Sequence, residues 1–135
     1  MSVRPPLMVL TWAGFDAAVD LIAAQCVRRD RSGVYGISGA GQVLAVALSD
    51  RLSLSLLQHP TPGMILVDAV ASDRSSFLKL ASSTEDVDPW AWVDATTDKQ
   101  VSSVLKVDGA CAAVVLPWQD IPTTCREPFL RGFHD

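Results

Sequence analysis

Apolar residues in the first part of the chain recur with a helical period. Phe15, Val19, Ile22 and Cys26 are spaced by four, three and four, which puts them on one helix face. Thr11 supplies a capping oxygen, so the spacing predicts a helix from Thr11 to about Arg29. Asp16 and Asp20 lie early in it and Arg28, Arg29 and Arg31 at its end, an order that suits the helix dipole. Gly33-Val34-Tyr35-Gly36-Ile37 reads as a short buried strand. Ser38-Gly39-Ala40-Gly41 reads as a turn of small residues, and Gln42 to Arg51 as a second helix, apolar almost throughout. From Leu52 to Leu57 leucine alternates with serine, as in a strand, until Leu57 breaks the pattern.

His59-Pro60-Thr61-Pro62-Gly63 is turn punctuation. Met64 to Val67 is a continuous apolar run closed by Asp68, the pattern of a parallel strand buried on both faces. A short helix is expected around Ser75 to Leu80. Trp90 and Trp92 share one face of a strand from Trp90 to Ala95, and Ala112 to Leu116 forms a last strand stopped by Pro117. Strands alternating with helices imply βαβ units with right-handed crossovers. The expected architecture is one α/β domain over residues 1–135, a mainly parallel sheet flanked by helices.

Composition narrows the function classes. The 135 residues are 49% hydrophobic and 19% charged, enough for a single domain with its own core and too apolar for a disordered chain. A net charge of −4 gives no electrostatic footprint for nucleic acid or an anionic membrane. The longest stretch free of charged residues, Ser32 to Ser49, is punctuated by glycines, and its unbroken apolar part is only Val43 to Leu48. A bilayer span needs about 20 apolar residues, so no membrane helix is expected. Arg4 and Pro5-Pro6 precede a broken apolar piece, which is no signal peptide. Cys26, Cys111 and Cys125 form no Cys-x-x-Cys pair and fit free thiols in a reducing cytoplasm. His59 and His134 lie far apart, leaving little material for a metal site or a histidine triad.

Ligands of open parallel sheets bind outside the carboxyl ends of the strands, and two such ends carry informative residues. At the first, Ile37 runs into Ser38-Gly39-Ala40-Gly41 and a helix. Small residues there serve either an anion held by backbone amides or close packing alone. At the second, Asp68 is followed by Ala69-Val70-Ala71-Ser72-Asp73-Arg74-Ser75-Ser76. An acid followed by a hydroxyl-rich loop suits sugar hydroxyls and a phosphate.

Taken in order, these segments carry a resemblance. The stretch from Val34 to Leu52 resembles the strand, pyrophosphate loop and helix of type I phosphoribosyltransferases. Pro62-Gly63-Met64-Ile65-Leu66-Val67-Asp68 resembles the strand entering that family's signature for 5-phosphoribosyl 1-diphosphate (PRPP). Leu116-Pro117-Trp118-Gln119-Asp120 is similar to the ending of xanthine–guanine-type members, and Leu10-Thr11-Trp12 with Phe15-Asp16 to the opening of small bacterial and phage-type ones. The resemblance covers nearly the whole chain. It implies a phosphoribosyltransferase-like fold, a PRPP or nucleoside monophosphate ligand, Mg²⁺ only with bound PRPP, and a homodimer.

The signature itself is degenerate. The family pairs two acids on the ribose hydroxyls; here Asp68 is followed by Ala69. Ser72 replaces the acid that opens the phosphate loop in many members, Asp73 a small hydroxyl residue and Arg74 a glycine. Ser76 alone resembles the closing threonine, with Ser75 beside it. In the first loop Ser38, Gly39 and Ala40 replace a proline, an arginine and a glycine, leaving Gly41. Ala113 stands where an aromatic stacks on the purine, and Lys99 is the nearest lysine to the usual purine contact. Trp92 and Trp118 either line a base pocket or pack in the core. Losing one charge-assisted hydrogen bond to ribose costs roughly 1.5–3 kcal/mol. A carboxylate about 4 Å from a phosphate costs on the order of 4 kcal/mol at an effective dielectric of 20. Arg74 offers a compensating contact.

Three readings follow. The first is a phosphoribosyltransferase-like protein with weak or no catalysis, serving as a nucleotide- or phosphate-binding or regulatory module. The second is an active, divergent transferase with Asp68 on ribose, Arg74, Ser75 and Ser76 on phosphate, and Ser38 to Gly41 on diphosphate. The third is a protein-interaction scaffold.

Overall fold

Thr11 starts the first helix: its Oγ1 accepts a 3.0 Å hydrogen bond from the Gly14 amide. The computed structural model describes residues 7–26, 30–98, 101–107 and 113–119. In chain order the elements are β1 (Leu7–Val9), α1 (Trp12–Cys26), β2 (Val34–Gly36), α2 (Ser38–Leu52), β3 (Ile65–Ser72), α3 (Ser76–Ser83), β4 (Asp88–Ala95), β5 (Ser102–Lys106) and β6 (Ala113–Val115). Strands β2-β3-β4-β5 form one sheet, and β1 pairs with β6 in a second. Every pairing between these strands is parallel. The expected α/β architecture is the observed one. Among the described residues no helix is long and apolar enough to cross a membrane.

Alternation along β3 assigns the two faces of the sheet. Ile65, Val67 and Ala69 join Phe15, Val19 and Ile22 of α1 and Leu44 and Leu48 of α2 in the larger core cluster. Met64 and Leu66 face the other way, against Phe77 of α3. Trp90 and Trp92 share a face as the spacing requires, both in the larger cluster.

Several sequence expectations need correction. Ser38 to Gly41 is not a turn before a helix; it is the first turn of α2. Ser38 reverses the chain by itself with φ 64°, and Gly36 and Gly41 serve packing instead. A Cβ on Gly36 would lie 2.3 Å from the Gly41 carbonyl oxygen, and one on Gly41 would lie 2.9 Å from that of Val67. The Leu52–Leu57 strand does not form. Ser53, at φ 55°, closes α2 in the left-handed conformation, and only Leu56 bridges to Val34. Asp68 does not close its strand: β3 continues to Ser72, with Asp68 opposite Ala91. The first turn of α1 holds no acid, and Asp20 pairs instead with Arg51 of α2. Strands β1 and β5 were not expected. Residues 27–29, Lys99, Cys111, Ala112, Asp120, Cys125 and His134 lie outside the described residues.

Candidate functional site

The carboxyl ends of five strands surround a cavity of about 390 Å³. Ser38 and Ala40 contribute from the end of β2 and start of α2, and Asp68, Ala69, Val70 and Ser72 from β3. Ala95 comes from β4, Val107 from the end of β5, and Val114, Leu116 and Gln119 from β6 and the chain beyond it. Parallel sheets place ligands at this end.

Asp68 is the buried polar group of this cavity, 5% exposed. Burial pushes its carboxyl up to about 6, while the amides of Ala69 and Val70 and the Ser38 hydroxyl pull the other way. The Ser38 hydroxyl donates to Asp68 Oδ1 over 3.4 Å and accepts from the Gly41 amide at 3.3 Å. Ser38 is thus held in a left-handed conformation that costs a non-glycine residue energy, directly beside the buried acid. Nothing lies within 4 Å of a Cβ placed on Gly39, so the α2 start is open at that point.

The hydroxyl-rich loop is folded on itself. The Ser72 amide donates to Ser75 Oγ at 3.2 Å, the Ser75 hydroxyl donates to the Ser72 carbonyl at 2.8 Å, and the Ser75 amide donates to the same carbonyl at 3.1 Å. The exposed Asp73 accepts from the amide and hydroxyl of Thr97 at 3.0 and 3.2 Å. Arg74 and Ser76 are exposed. Of this loop, only Ser72 lines the cavity with Asp68. Neither tryptophan lines it. Trp92 is 1% exposed and packs edge-on against Phe15, and Trp118 packs against Trp12 and Phe15.

Two features escaped the sequence reading. Gln119 Oε1 accepts from the Leu116 amide at 3.0 Å and so fixes the strand end behind Val114. Asp94 is fully buried under the rim. Burial alone would raise its pKa, but the Lys106 ammonium 2.8 Å away, with the Thr96 hydroxyl and amide, holds it below its usual value. Lys106 also donates to the Thr96 carbonyl, tying β5 to the end of β4. The acid in the otherwise apolar run from Trp90 to Ala95 was the available signal. Replacing Lys106 with methionine is expected to cost about 1–3 kcal/mol near neutral pH, since Asp94 keeps its burial and loses its counter-charge. A depressed pKa stabilises above the unfolded value and loses that contribution as pH falls through the folded one. The deficit should therefore shrink in acid, which melting curves of both proteins between pH 7 and pH 3 will measure.

A wider hollow of about 710 Å³ lies at the opposite, amino end of β4 and β5. It is lined by Gln25, Asp30, Arg31, Asp86, Asp88, Trp90 and Ser102. Arg31 there donates to the Asp86 carbonyl at 2.6 Å. Among the described residues no group of three histidine, cysteine or acidic side chains could hold a metal.

Comparison of the chain with solved structures settles the architecture. A purine phosphoribosyltransferase from Pyrococcus horikoshii superposes with a TM-score of 0.72 at 16% identity, covering 87% of this chain and 97% of that one. The fold is phosphoribosyltransferase-like. A hypothetical protein from Neisseria gonorrhoeae with bound ppGpp superposes with a TM-score of 0.58 at 13% identity, covering 98% of this chain and 99% of the other. At these identities the likeness concerns the fold. No protein-family profile matches the sequence, and no curated protein matches it.

Proposed function

We propose that this phosphoribosyltransferase-like protein is a nucleotide-class binding module whose transfer chemistry has been lost. The carrying observation is Asp68, one buried carboxylate at the strand ends with Ala69 where the resemblance implies a second acid. A lone carboxylate with a carboxyl pKa near 6 accepts sugar hydroxyls. It does not by itself fit a resident Mg²⁺, which takes near-octahedral oxygen ligands. The Ser72–Ser75 turn supports the same reading, because it takes up the Ser72 and Ser75 amides, two donors a phosphate cradle would use. Binding without turnover suits a regulatory role, and the cysteine usage of the sequence suits the cytoplasm.

The test is diphosphate release from PRPP with Mg²⁺ and a panel of purine and pyrimidine bases. Release at background is expected. Release above background that Asp68→Ala removes would establish the divergent transferase instead, a reading favoured by the placement of Asp68 in the strand-end cavity. Exposed Trp12, Leu21, Val43 and Val46 on α1 and α2 support a homodimer, and the net charge of −4 argues against a nucleic acid partner.

A further inference from the structure

We propose that the hollow at the amino end of β4 and β5 is a second binding site, whose ligand is a lysine or arginine residue presented by a peptide. It shares no lining residue with the strand-end cavity, so it stands or falls apart from the reading of that cavity. Two observations carry it: buried donors without an acceptor in the wall, and unbalanced negative charge around the rim.

Trp90 is 8% exposed, and its indole Nε1–H has no hydrogen-bond partner among the described residues. The Arg31 side chain is 5% exposed, and its Nε–H has none either. Both residues line the hollow. Burying an unpaired N–H is costly, and folded proteins leave few such groups unpaired. Arg31 is otherwise anchored: one terminal nitrogen donates to the Asp86 carbonyl at 2.6 Å and lies 3.6 Å from the Asp86 carboxylate. A carbonyl oxygen of a ligand seated on this wall supplies the missing acceptor.

The rim makes the opposite demand. Asp30, Asp86 and Asp88 set three carboxylates against the single guanidinium of Arg31. Among the described residues only Asp86 pairs with that guanidinium, and Asp30 and Asp88 form no ion pair. The Cys26 thiol, a weak donor, reaches Asp88 Oδ2 at 3.7 Å and leaves its charge uncompensated. Net negative charge attracts a cation and repels phosphate or a free carboxylate.

A ligand meets both demands when it joins a neutral carbonyl to a cationic group. A polyamine brings no acceptor, a free amino acid carries its own carboxylate into the acidic rim, and a neutral nucleobase brings no charge. A lysine or arginine residue within a peptide brings an uncharged carbonyl and a cationic head on a flexible stem. The volume of about 710 Å³ lies in the small-molecule range of about 300–1,000 Å³, room for one such residue and its flanking peptide groups.

Chemical-shift titration of the labelled full chain at pH 7.5 tests this with N-acetyl-arginine methylamide and N-acetyl-lysine methylamide. Three comparisons go with them: the N-acetyl-citrulline counterpart, which lacks the charge; butylguanidine, which lacks the carbonyl; and free arginine. At least one capped basic residue should move the Trp90 indole N–H downfield, together with the Gln25 and Ser102 amides. The citrulline compound and butylguanidine should each bind roughly 10-fold or more weakly, and the Asp30→Asn/Asp88→Asn protein, checked for folding by circular dichroism, should lose as much. An unmoved Trp90 indole signal with both capped residues overturns the proposal. Citrulline binding as tightly as arginine overturns the cation contact, and butylguanidine doing so overturns the carbonyl contact. Free arginine binding more tightly than the capped residue overturns the assignment to a peptide.

Discussion

Asp68→Asn is expected to melt higher than the native protein at neutral pH while losing its ligand. The unfolded chain ionises this carboxyl near 3.8 and the folded one at about 6. Below 3.8 both states hold the proton and the full stability is present. As pH rises to about 6 the unfolded state releases the proton first, so stability is lost, by roughly 3 kcal/mol for about two units. Asparagine keeps the shape, still accepts from the Ala69 and Val70 amides, and carries no charge to desolvate. The variant should gain about 1–3 kcal/mol at pH 7.5, a melting temperature some 4–10 °C higher, and nothing near pH 4. Ligand affinity should run the opposite way in the native protein, rising through pH 6 as the accepting carboxylate forms. A group that weakens the fold and strengthens binding is the signature of a functional site. Asp68→Asn melting below the native protein at pH 7.5 would contradict it.

Gly36→Ala is expected to be among the most damaging glycine-to-alanine changes at the described residues. The new Cβ would sit 2.3 Å from the Gly41 carbonyl oxygen and 2.7 Å from Gln42 Cα, both backbone atoms of α2. No side chain can swing aside, so the helix must lift off β2. Overpacking of this kind costs about 3 kcal/mol or more, a melting temperature lower by roughly 10 °C. The lift also opens the 3.4 Å contact between Ser38 and Asp68, so binding should fail with the fold still present. Gly39→Ala, one turn position away with open space around it, should change stability by less than about 1 kcal/mol. Equal effects from the two substitutions in thermal melts would refute the close approach of β2 and α2.

The layered α/β fold and the face of α1 were legible because periodicity records burial directly: Phe15, Val19, Ile22 and Cys26 are all in the core. Asp68 was legible as a candidate because an acid after four apolar residues is conspicuous. Its true setting was not. Continuation of β3 through Ala69, Val70 and Ala71 depends on pairing with β4, a tertiary contact that short apolar runs do not reveal. The α2 start was misread because small residues signal both turns and close packing, and only the contact of Gly36 with Gly41 separates them. Ser102 to Lys106 mixes serines and a lysine with two apolar residues. It is a strand because β4 pairs with it, and Lys106 is anchored by a buried Asp94 far from it in sequence. The tryptophans illustrate the ambiguity of large aromatics: Trp92 and Trp118 form an aromatic group with Phe15 and Trp12, and neither lines the cavity.

The most direct test of the strand-end cavity as the binding site is amide chemical-shift mapping of the labelled chain. Adenosine, guanosine, cytidine and uridine and their 5′-monophosphates would be titrated in at pH 7.5. Shifts concentrated at Ser38, Asp68 to Ser72, Ala95, Val107 and Gln119, and lost in Asp68→Asn, are the predicted result. Shifts concentrated instead at Gln25, Asp30, Asp86 and Ser102 around the opposite hollow, or none at saturating concentration, would contradict it.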